Sequence, residues 1–298
     1  MKKHDSKKPD LYQKVTNRMI ELLEVGVIPW RKTWNSYGLA KNYATNHIYT
    51  GINCLLMNNT VHSIPYYLTF KQAKAMGGSI RKGAKSEQVI FFKILFKDAK
   101  NKTISKDEFS RRSKQGEETK ALKFLRYYNV FNVTDVNDIE LKLPVLEQYE
   151  HEKIQACEHI IQGMKQPPNF INADPNRAYY APKKDVLNMP NIKQFKSPEE
   201  YYAVIFHEMI HATGHENRLG RKGITEFDRF GSAQYSEEEL IAEIGASFLC
   251  AKAAIDNDDI IENSAAYIQG WLGKLREDNK FIFKSAAAAQ KAVSYILQ

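Results

Sequence analysis

The chain has 298 residues, of which 43% are hydrophobic and 26% are charged, and its formal net charge is +8 at pH 7. No segment approaches the run of about 18 apolar residues that a membrane-spanning helix needs, and the start, MKKHDSKKPDLYQK, lacks the apolar stretch of a secretory signal peptide. These features exclude a membrane protein and predict a cytoplasmic protein of two domains.

The positive charge is concentrated in the first half of the chain. Residues 1–150 contain 26 lysines and arginines against 15 aspartates and glutamates, whereas the remaining residues have a net charge of −3. A basic segment joined to a nearly neutral one predicts a polyanion partner for the first and separate chemistry for the second. The alternative is a lysine-rich surface that only keeps the protein in solution.

The three cysteines predict no chemistry. Cys54, Cys157 and Cys250 are far apart and have no CxxC spacing, so neither a disulfide framework nor a cysteine zinc site is indicated. We expect three small buried side chains.

The chain begins with a predicted amphipathic helix at 10–26, with Asp10 as N-cap and Gly26 as C-cap. Its apolar stripe consists of Leu11, Val15, Met19, Leu22 and Leu23. A second, short helix is predicted at 70–76, with Thr69 as its N-cap.

Two runs rich in β-branched and aromatic residues predict a pair of strands, QVIFFKILFK at 88–97 and FLRYYNVFNV at 124–133. The segment between them, 97–121, is polar, and we expect it to form a mobile loop over the sheet. Around Pro144 the character of the chain changes from a basic segment with predicted strands and helices to a segment that is mainly helical.

The change of composition predicts an α+β fold with two domains, 1–145 and 146–298. The first is a mixed α/β domain. The second is mainly helical, with a helix at 147–163 and a short sheet that includes the strand RAYYAP.

The stretch HEMIH lies on a strongly predicted helix. Ser197 is a typical N-cap, Pro198 suits the first helical position, and Glu200 can close a capping box. His207 and His211 are one turn apart on the same face, so that two imidazoles can share one tetrahedral Zn²⁺. Glu208 is placed to act as the general base of an HExxH metallopeptidase. The alternative is a pair of exposed histidines without a metal.

The third protein ligand must come from elsewhere, because position 217 is Asn217 and His215 is two residues too early for the longer HExxH motif. The helix that contains SEEELIAEIG places Glu239 and Glu243 one turn apart. We assign Glu239 to the metal and Glu243 to orienting a histidine ring.

Two alternatives to this assignment stay open: the two glutamates exchange roles, or Ser236 and Glu239 form only a capping box. Zn²⁺ is the expected ion, with Mn²⁺ or another divalent metal as the alternative.

The strand NRAYYAP is a candidate edge strand for an extended peptide lying across the metal. Tyr179, Tyr180 and Tyr235 are candidates for stabilising an oxyanion, the alternative for each being a core position.

The ordered motifs resemble the plasmid-encoded antirestriction protein ArdC family. The resemblance rests on IPWRKTW, YTGINCLLM and YYNVFNV in the first half, and on HEMIHATGHENRL, FGSAQYSEEELIAEIGASFLCA and AAYIQGWLGKLREDNKF in the second. It implies an N-terminal domain that binds single-stranded DNA entering by conjugation, a C-terminal zincin-like metallopeptidase domain, and protection of the DNA from host restriction endonucleases. The chain departs from the family pattern at Ala212, where a bulkier residue is expected.

Single-stranded DNA is bound by cations that contact phosphates and by aromatic faces on which bases stack. The stacking candidates in the basic half are Trp30, Trp34, Tyr127 and Phe131, and the phosphate candidates are Arg31, Lys32, Lys71, Arg81, Lys82 and Lys85. The alternative for the aromatic residues is a place in the core.

Two functions remain at this point. The first is a single-stranded-DNA-binding protein with a zinc-dependent peptidase that acts on a protein substrate. The second is a pure DNA-binding protein whose metal is structural; the intact HExxH favours the first.

Overall fold

The computed structural model describes residues 10–24, 28, 39–58, 62, 64–143, 150–174, 177–226, 233–255 and 264–298. These residues form an α+β fold, as predicted. The helices are α1 (Leu11–Glu24), α2 (Ile52–Asn58), α3 (Phe70–Ala75), α4 (Lys106–Lys114), α5 (Glu150–Gly163), α6 (Pro198–Thr213), α7 (Lys222–Thr225), α8 (Ala233–Ala253), α9 (Ser264–Glu277) and α10 (Phe281–Ile296). The strands are β1 (Lys41–Asn42), β2 (Tyr66–Thr69), β3 (Ser79–Ile80), β4 (Glu87–Asp98), β5 (Thr103–Ile104), β6 (Thr119–Asn132), β7 (Val136–Asn137), β8 (Asn169–Ile171), β9 (Tyr179–Ala181) and β10 (Val186–Asn188).

The basic half is organised around a sheet with the strand order β1-β2-β6-β4-β5. Strands β4 and β6 pair in antiparallel register from Glu87 opposite Val130 to Asp98 opposite Thr119, which confirms the predicted strand pair. We call this long two-stranded element the β4–β6 ribbon.

The predicted mobile loop at 97–121 is wrong. The segment contains β5, which pairs with β4, and α4, whose N-terminus is capped by the Ser105 hydroxyl accepting from the Glu108 amide. The ring of Phe109 on α4 packs 4.6 Å from the ring of Phe96. The ring contact of Phe109, the buried side chain of Ile104 and the ion pairs of Arg112 accompany the N-cap in a segment whose composition is almost entirely polar.

Helix α1 has the predicted amphipathic character, with Val15, Met19 and Leu23 buried. The Asp10 carboxylate accepts from the Tyr12 amide at 3.0 Å, as expected of the N-cap. The predicted N-cap Thr69 of α3 is confirmed by a complete capping box with Gln72.

The two halves of the chain share one hydrophobic core. The largest cluster of buried apolar side chains includes Val15 and Met57 together with Trp271 and Ile282. The Thr16 hydroxyl also donates to the Asn279 carbonyl at 2.8 Å. The division into domains near residue 145 stays a prediction, but α1 and α2 are packed against helices of the second half.

The second half combines helices with a sheet of strand order β8-β10-β9. Helix α6 begins as predicted, with the Ser197 hydroxyl accepting from the Glu200 amide and Pro198 in the first turn; the Glu200 carboxylate accepts from the Lys196 amide instead of closing a capping box. Helix α8 begins at Ala233, upstream of Ser236. The interpretation of Ser236 and Glu239 as only a capping box is therefore wrong.

The cysteines and the helix lengths complete the description of the fold. All three cysteines are buried free thiols, as predicted. Among the described helices, none is both long enough and apolar enough to span a bilayer.

Candidate functional site

Helix α6 places the two histidines of HEMIH side by side. The Nε2 atoms of His207 and His211 are 3.0 Å apart, and the two rings are 4.7 Å apart at an angle of 79°. The i, i+4 spacing puts both side chains on one face of the helix, and the ring edges converge on one point.

Helix α8 brings a carboxylate to the same point. The Glu239 carboxylate lies 3.3 Å from Nε2 of His211 and 3.6 Å from Nε2 of His207. Donor atoms that share a tetrahedral zinc at about 2.0–2.2 Å are separated by roughly 3.3–3.6 Å. The described side chains thus present two imidazoles and one carboxylate at distances that fit one divalent ion.

A close contact between helices α6 and α8 makes this geometry possible. A Cβ atom on Gly245 of α8 would lie 2.7 Å from Cδ1 of Ile210 on α6, which is closer than van der Waals contact allows. Only glycine lets the two helices approach this far, and the approach brings Glu239 within reach of both histidines.

The Nδ1 atom of His211 faces a different carboxylate. It lies 3.3 Å from Glu238, which has only 3% of its side chain exposed. The Arg221 guanidinium donates to both oxygens of Glu238, at 2.9 and 2.6 Å, and to the Ile210 carbonyl at 2.6 Å. Such a carboxylate fixes the ring orientation of a metal-binding histidine, and here the arginine fixes the carboxylate.

The charges of the cluster support one another. Burial opposes protonation of His211, but the negative charge of Glu239 and the hydrogen bond to Glu238 outweigh it and raise the pKa of the imidazole well above its ordinary value. Burial also opposes ionisation of Glu239, yet the His211 and His207 rings lower the pKa of this carboxyl strongly. The carboxylates therefore favour a positive charge at the Nε2 atoms, and a metal ion bound there would replace the proton.

The other acidic candidates lie close to this cluster. Glu208 is half-buried and follows His207 on α6, and Glu243 is buried one helical turn beyond Glu239 on α8. The carboxylate at Nδ1 of His211 is that of Glu238, which the sequence interpretation missed. The role given to Glu243 stays a prediction.

The tyrosine candidates differ in their surroundings. The Tyr180 hydroxyl donates to Asp185 at 2.7 Å and accepts from Arg218 at 3.1 Å, so it links β9 to the chain after α6. Its only hydrogen is already donated to Asp185 and is not available to an oxyanion. Tyr179 is half-buried beside Arg177, and the Tyr235 side chain lies outside the described residues. In the described sheet β9 is an edge strand, as predicted.

Six of the ten DNA-binding candidates can be located. Trp30, Arg31, Lys32 and Trp34 lie outside the described residues. Lys71, Lys82 and Lys85 are exposed, whereas the Arg81 guanidinium is paired with the buried Asp135. Tyr127 is 46% exposed, and Phe131 is half-buried in β6.

Comparison with known proteins identifies both halves. Residues 9–131 match the N-terminal domain of anti-restriction factor ArdC, and residues 156–289 match the family described as zincin-like metallopeptidase. The chain belongs to the ArdC antirestriction family. Its fold is similar to the crystal structures of the ArdC protein from plasmid R388: the metal-free form has a TM-score of 0.73 and 32% identity, and 96% of each chain is covered. For the Mn(II)-bound form the TM-score is 0.72, the identity is 34%, and 96% of this chain and 97% of the other are covered.

Two curated relatives extend the comparison beyond ArdC itself. A DNA primase TraC from Escherichia coli is 33% identical over 98% of this chain, which spans only 27% of the primase. The uncharacterized protein y4eC of Sinorhizobium fredii is 31% identical, with 96% of this chain and 91% of that protein covered.

The departure from the ArdC family pattern at Ala212 is accommodated in the fold. Ala212 is fully buried, and its carbonyl accepts from Nε of Arg218 at 2.7 Å. Arg218 also pairs with Asp185, so the chain after α6 is tied to the small sheet. Arg218 therefore anchors the end of α6, although residue 212 is small.

Metal affinity should separate Glu238, Glu239 and Glu243 of α8. We expect Glu239→Gln to weaken Mn²⁺ and Zn²⁺ binding by more than the roughly 10- to 100-fold that loss of a ligand-orienting partner causes, because a direct donor is lost. Glu238→Gln and Glu243→Gln should stay within that range. Isothermal titration calorimetry on the three variants measures the order, and a larger loss for Glu243→Gln than for Glu239→Gln would contradict the assignment.

Proposed function

We propose that this ArdC family protein binds single-stranded DNA through its basic half, protects DNA that enters by conjugation from host restriction endonucleases, and carries a divalent metal ion between α6 and α8. The observation that carries the proposal is the match of residues 9–131 to the N-terminal domain of anti-restriction factor ArdC. The excess of 26 basic over 15 acidic residues in positions 1–150 supports a polyanion ligand. The names of the relatives, a TraC primase and a protein of plasmid R388, support a link to plasmid transfer.

The metal site fits the zincin-like half of the chain. His207, His211 and Glu239 would hold the ion, and Glu238 would keep the His211 ring in place. When bound, the ion supplies a Lewis acid that polarises a carbonyl and lowers the pKa of water. The donor set suits zinc, and the Mn(II)-bound ArdC structure supports a site that accepts more than one divalent metal.

Peptide hydrolysis is the reaction that this arrangement supports best. Glu208 would accept a proton from the attacking water, and β9 would pair with an extended protein substrate. Cytoplasmic DNA-protecting activity and a protein substrate are both part of the proposal.

Binding of single-stranded DNA is tested most directly by fluorescence anisotropy with a labelled oligonucleotide. The full chain is the right sample, because α1 and α2 share the core of the second half. We expect binding that resists competition by duplex DNA and weakens with salt, with a slope of log affinity against log salt of about −0.7 for each phosphate neutralised. No binding, or preference for the duplex, would refute the proposed DNA function.

A further inference from the structure

The β4–β6 ribbon carries exposed aromatic residues that are not among the predicted DNA-stacking candidates. Phe91 is 45% exposed and Tyr128 is 48% exposed. Their rings are 6.0 Å apart at 73°, so they form one aromatic patch across the two strands. Contiguous exposed apolar patches mark interaction sites, whereas single exposed apolar side chains do not.

The register of the ribbon places cations beside these rings. Phe91 lies opposite Arg126, and Phe124 lies opposite Lys93. Residues that are opposite in an antiparallel pair share one face, so aromatic and basic side chains alternate on this face. We call this set, Phe91, Lys93, Phe124, Arg126 and Tyr128, the ribbon face.

The ribbon face is free of negative charge. Neither strand contains an acidic residue between positions 89 and 97 or between 120 and 128. The two carboxylates at the ends of β4 are already paired, Glu87 with Arg18 at 3.3 Å and Asp98 with Arg112 at 3.7 Å. Within the described residues, Lys93 and Arg126 form no ion pair, so both cations are available to a ligand.

Part of the opposite face of the ribbon is used for packing. Phe96 contacts Phe109 of α4, Leu125 packs against the main core, and the Lys14 ammonium lies 5.9 Å from the centre of the Tyr127 ring. The opposite face is covered only in part, since Phe92 and Tyr127 remain 50% and 46% exposed there. On the ribbon face Phe91, Lys93, Arg126 and Tyr128 are all exposed. Tyr127 belongs to the side on which α1 lies.

We propose that the ribbon face is the platform on which bases of single-stranded DNA stack, with Phe91 and Tyr128 contacting bases and Lys93 and Arg126 contacting phosphates. The proposal rests on the DNA-binding function proposed above and names the surface that performs it. The ligand class follows from the chemistry: exposed rings next to unpaired cations match unstacked bases on a polyanionic backbone. A duplex hides its base faces, so the ribbon face discriminates against it.

The test compares full-chain variants for binding of a labelled oligothymidine by anisotropy. We expect Phe91→Ala and Tyr128→Ala each to weaken binding by about 5- to 150-fold, the range for loss of one base stack. Phe91→Trp should retain binding, whereas Phe91→Leu should not. Lys93→Gln with Arg126→Gln should reduce the magnitude of the salt slope by about 1.4.

The matched control is Phe92→Ala, because Phe92 is 50% exposed on the same strand but points to the opposite face. It should change affinity less than two-fold. Unchanged melting temperature and metal affinity in all variants show that the fold is intact. Wild-type binding that neither Phe91→Ala nor Tyr128→Ala weakens would overturn the ribbon face and leave the DNA function standing. If the wild-type chain does not bind, both proposals fail.

Discussion

Replacing Glu208 by glutamine is expected to leave metal affinity unchanged and to reduce hydrolysis of a protein substrate by about 10²- to 10⁴-fold, the usual contribution of a general base. The reason is positional: His207, His211 and Glu239 have their donor atoms together, whereas Glu208 is not part of that group. Digestion of casein by the metal-loaded protein measures the reaction, and calorimetry measures the metal.

The matched control for this prediction is Glu216→Gln, which removes an exposed carboxylate just beyond the same helix. A second readout is transfer of unmodified plasmid DNA into a restricting host. If protection survives Glu208→Gln in full, hydrolysis is not needed for antirestriction, and the metal has a structural role. If purified Glu208→Gln still digests casein as fast as wild type, the assignment of the general base is wrong.

Replacing Arg221 by methionine should destabilise the protein by about 3–5 kcal/mol, the cost of leaving one member of a buried ion pair without its partner. Only 3% of the Glu238 side chain is exposed. Burial raises the pKa of its carboxyl, but the hydrogen bonds and positive charge of Arg221 and His211 outweigh burial and lower it. Arg221 also donates to the Thr213 hydroxyl at 2.7 Å and to the Ile210 carbonyl. Urea unfolding of the metal-free protein measures the loss.

Two further variants separate stability from metal orientation. Arg276→Met removes an exposed ion pair with Glu24 and should cost less than about 1 kcal/mol. The double variant Arg221→Met with Glu238→Met should recover part of the stability, because no unpaired charge remains, yet bind metal about 10- to 100-fold more weakly. A double variant with wild-type metal affinity would show that Glu238 does not orient His211.

The order of segment 97–121 could not be predicted from the sequence. Its polar composition predicted a mobile loop, but Phe109 finds Phe96 on the neighbouring strand, and Ser105 caps the helix. Isolated apolar residues such as Ile104 and Phe109 have no periodicity, so pattern analysis could not detect their packing. The ribbon face was missed for a related reason, because a strand pattern does not tell which face the rest of the chain will cover.

Local chemistry determined most of what the sequence revealed by itself. A helix with an i, i+4 histidine pair needs no distant partner to align its two rings, and N-caps such as Ser197 and Thr69 act within three residues. The charge asymmetry and the family motifs are likewise properties of the linear chain.

Only the tertiary structure decided which acidic groups meet those rings. Glu238 and Glu239 are adjacent in sequence, yet one contacts Nδ1 of His211 and the other contacts Nε2. The difference depends on the close approach of α6 and α8 at Gly245 and on Arg221, which reaches Glu238 from the chain after α6. Helix phase sets the direction of a side chain, but the distance between two helices is set by packing, and packing is a property of the whole fold.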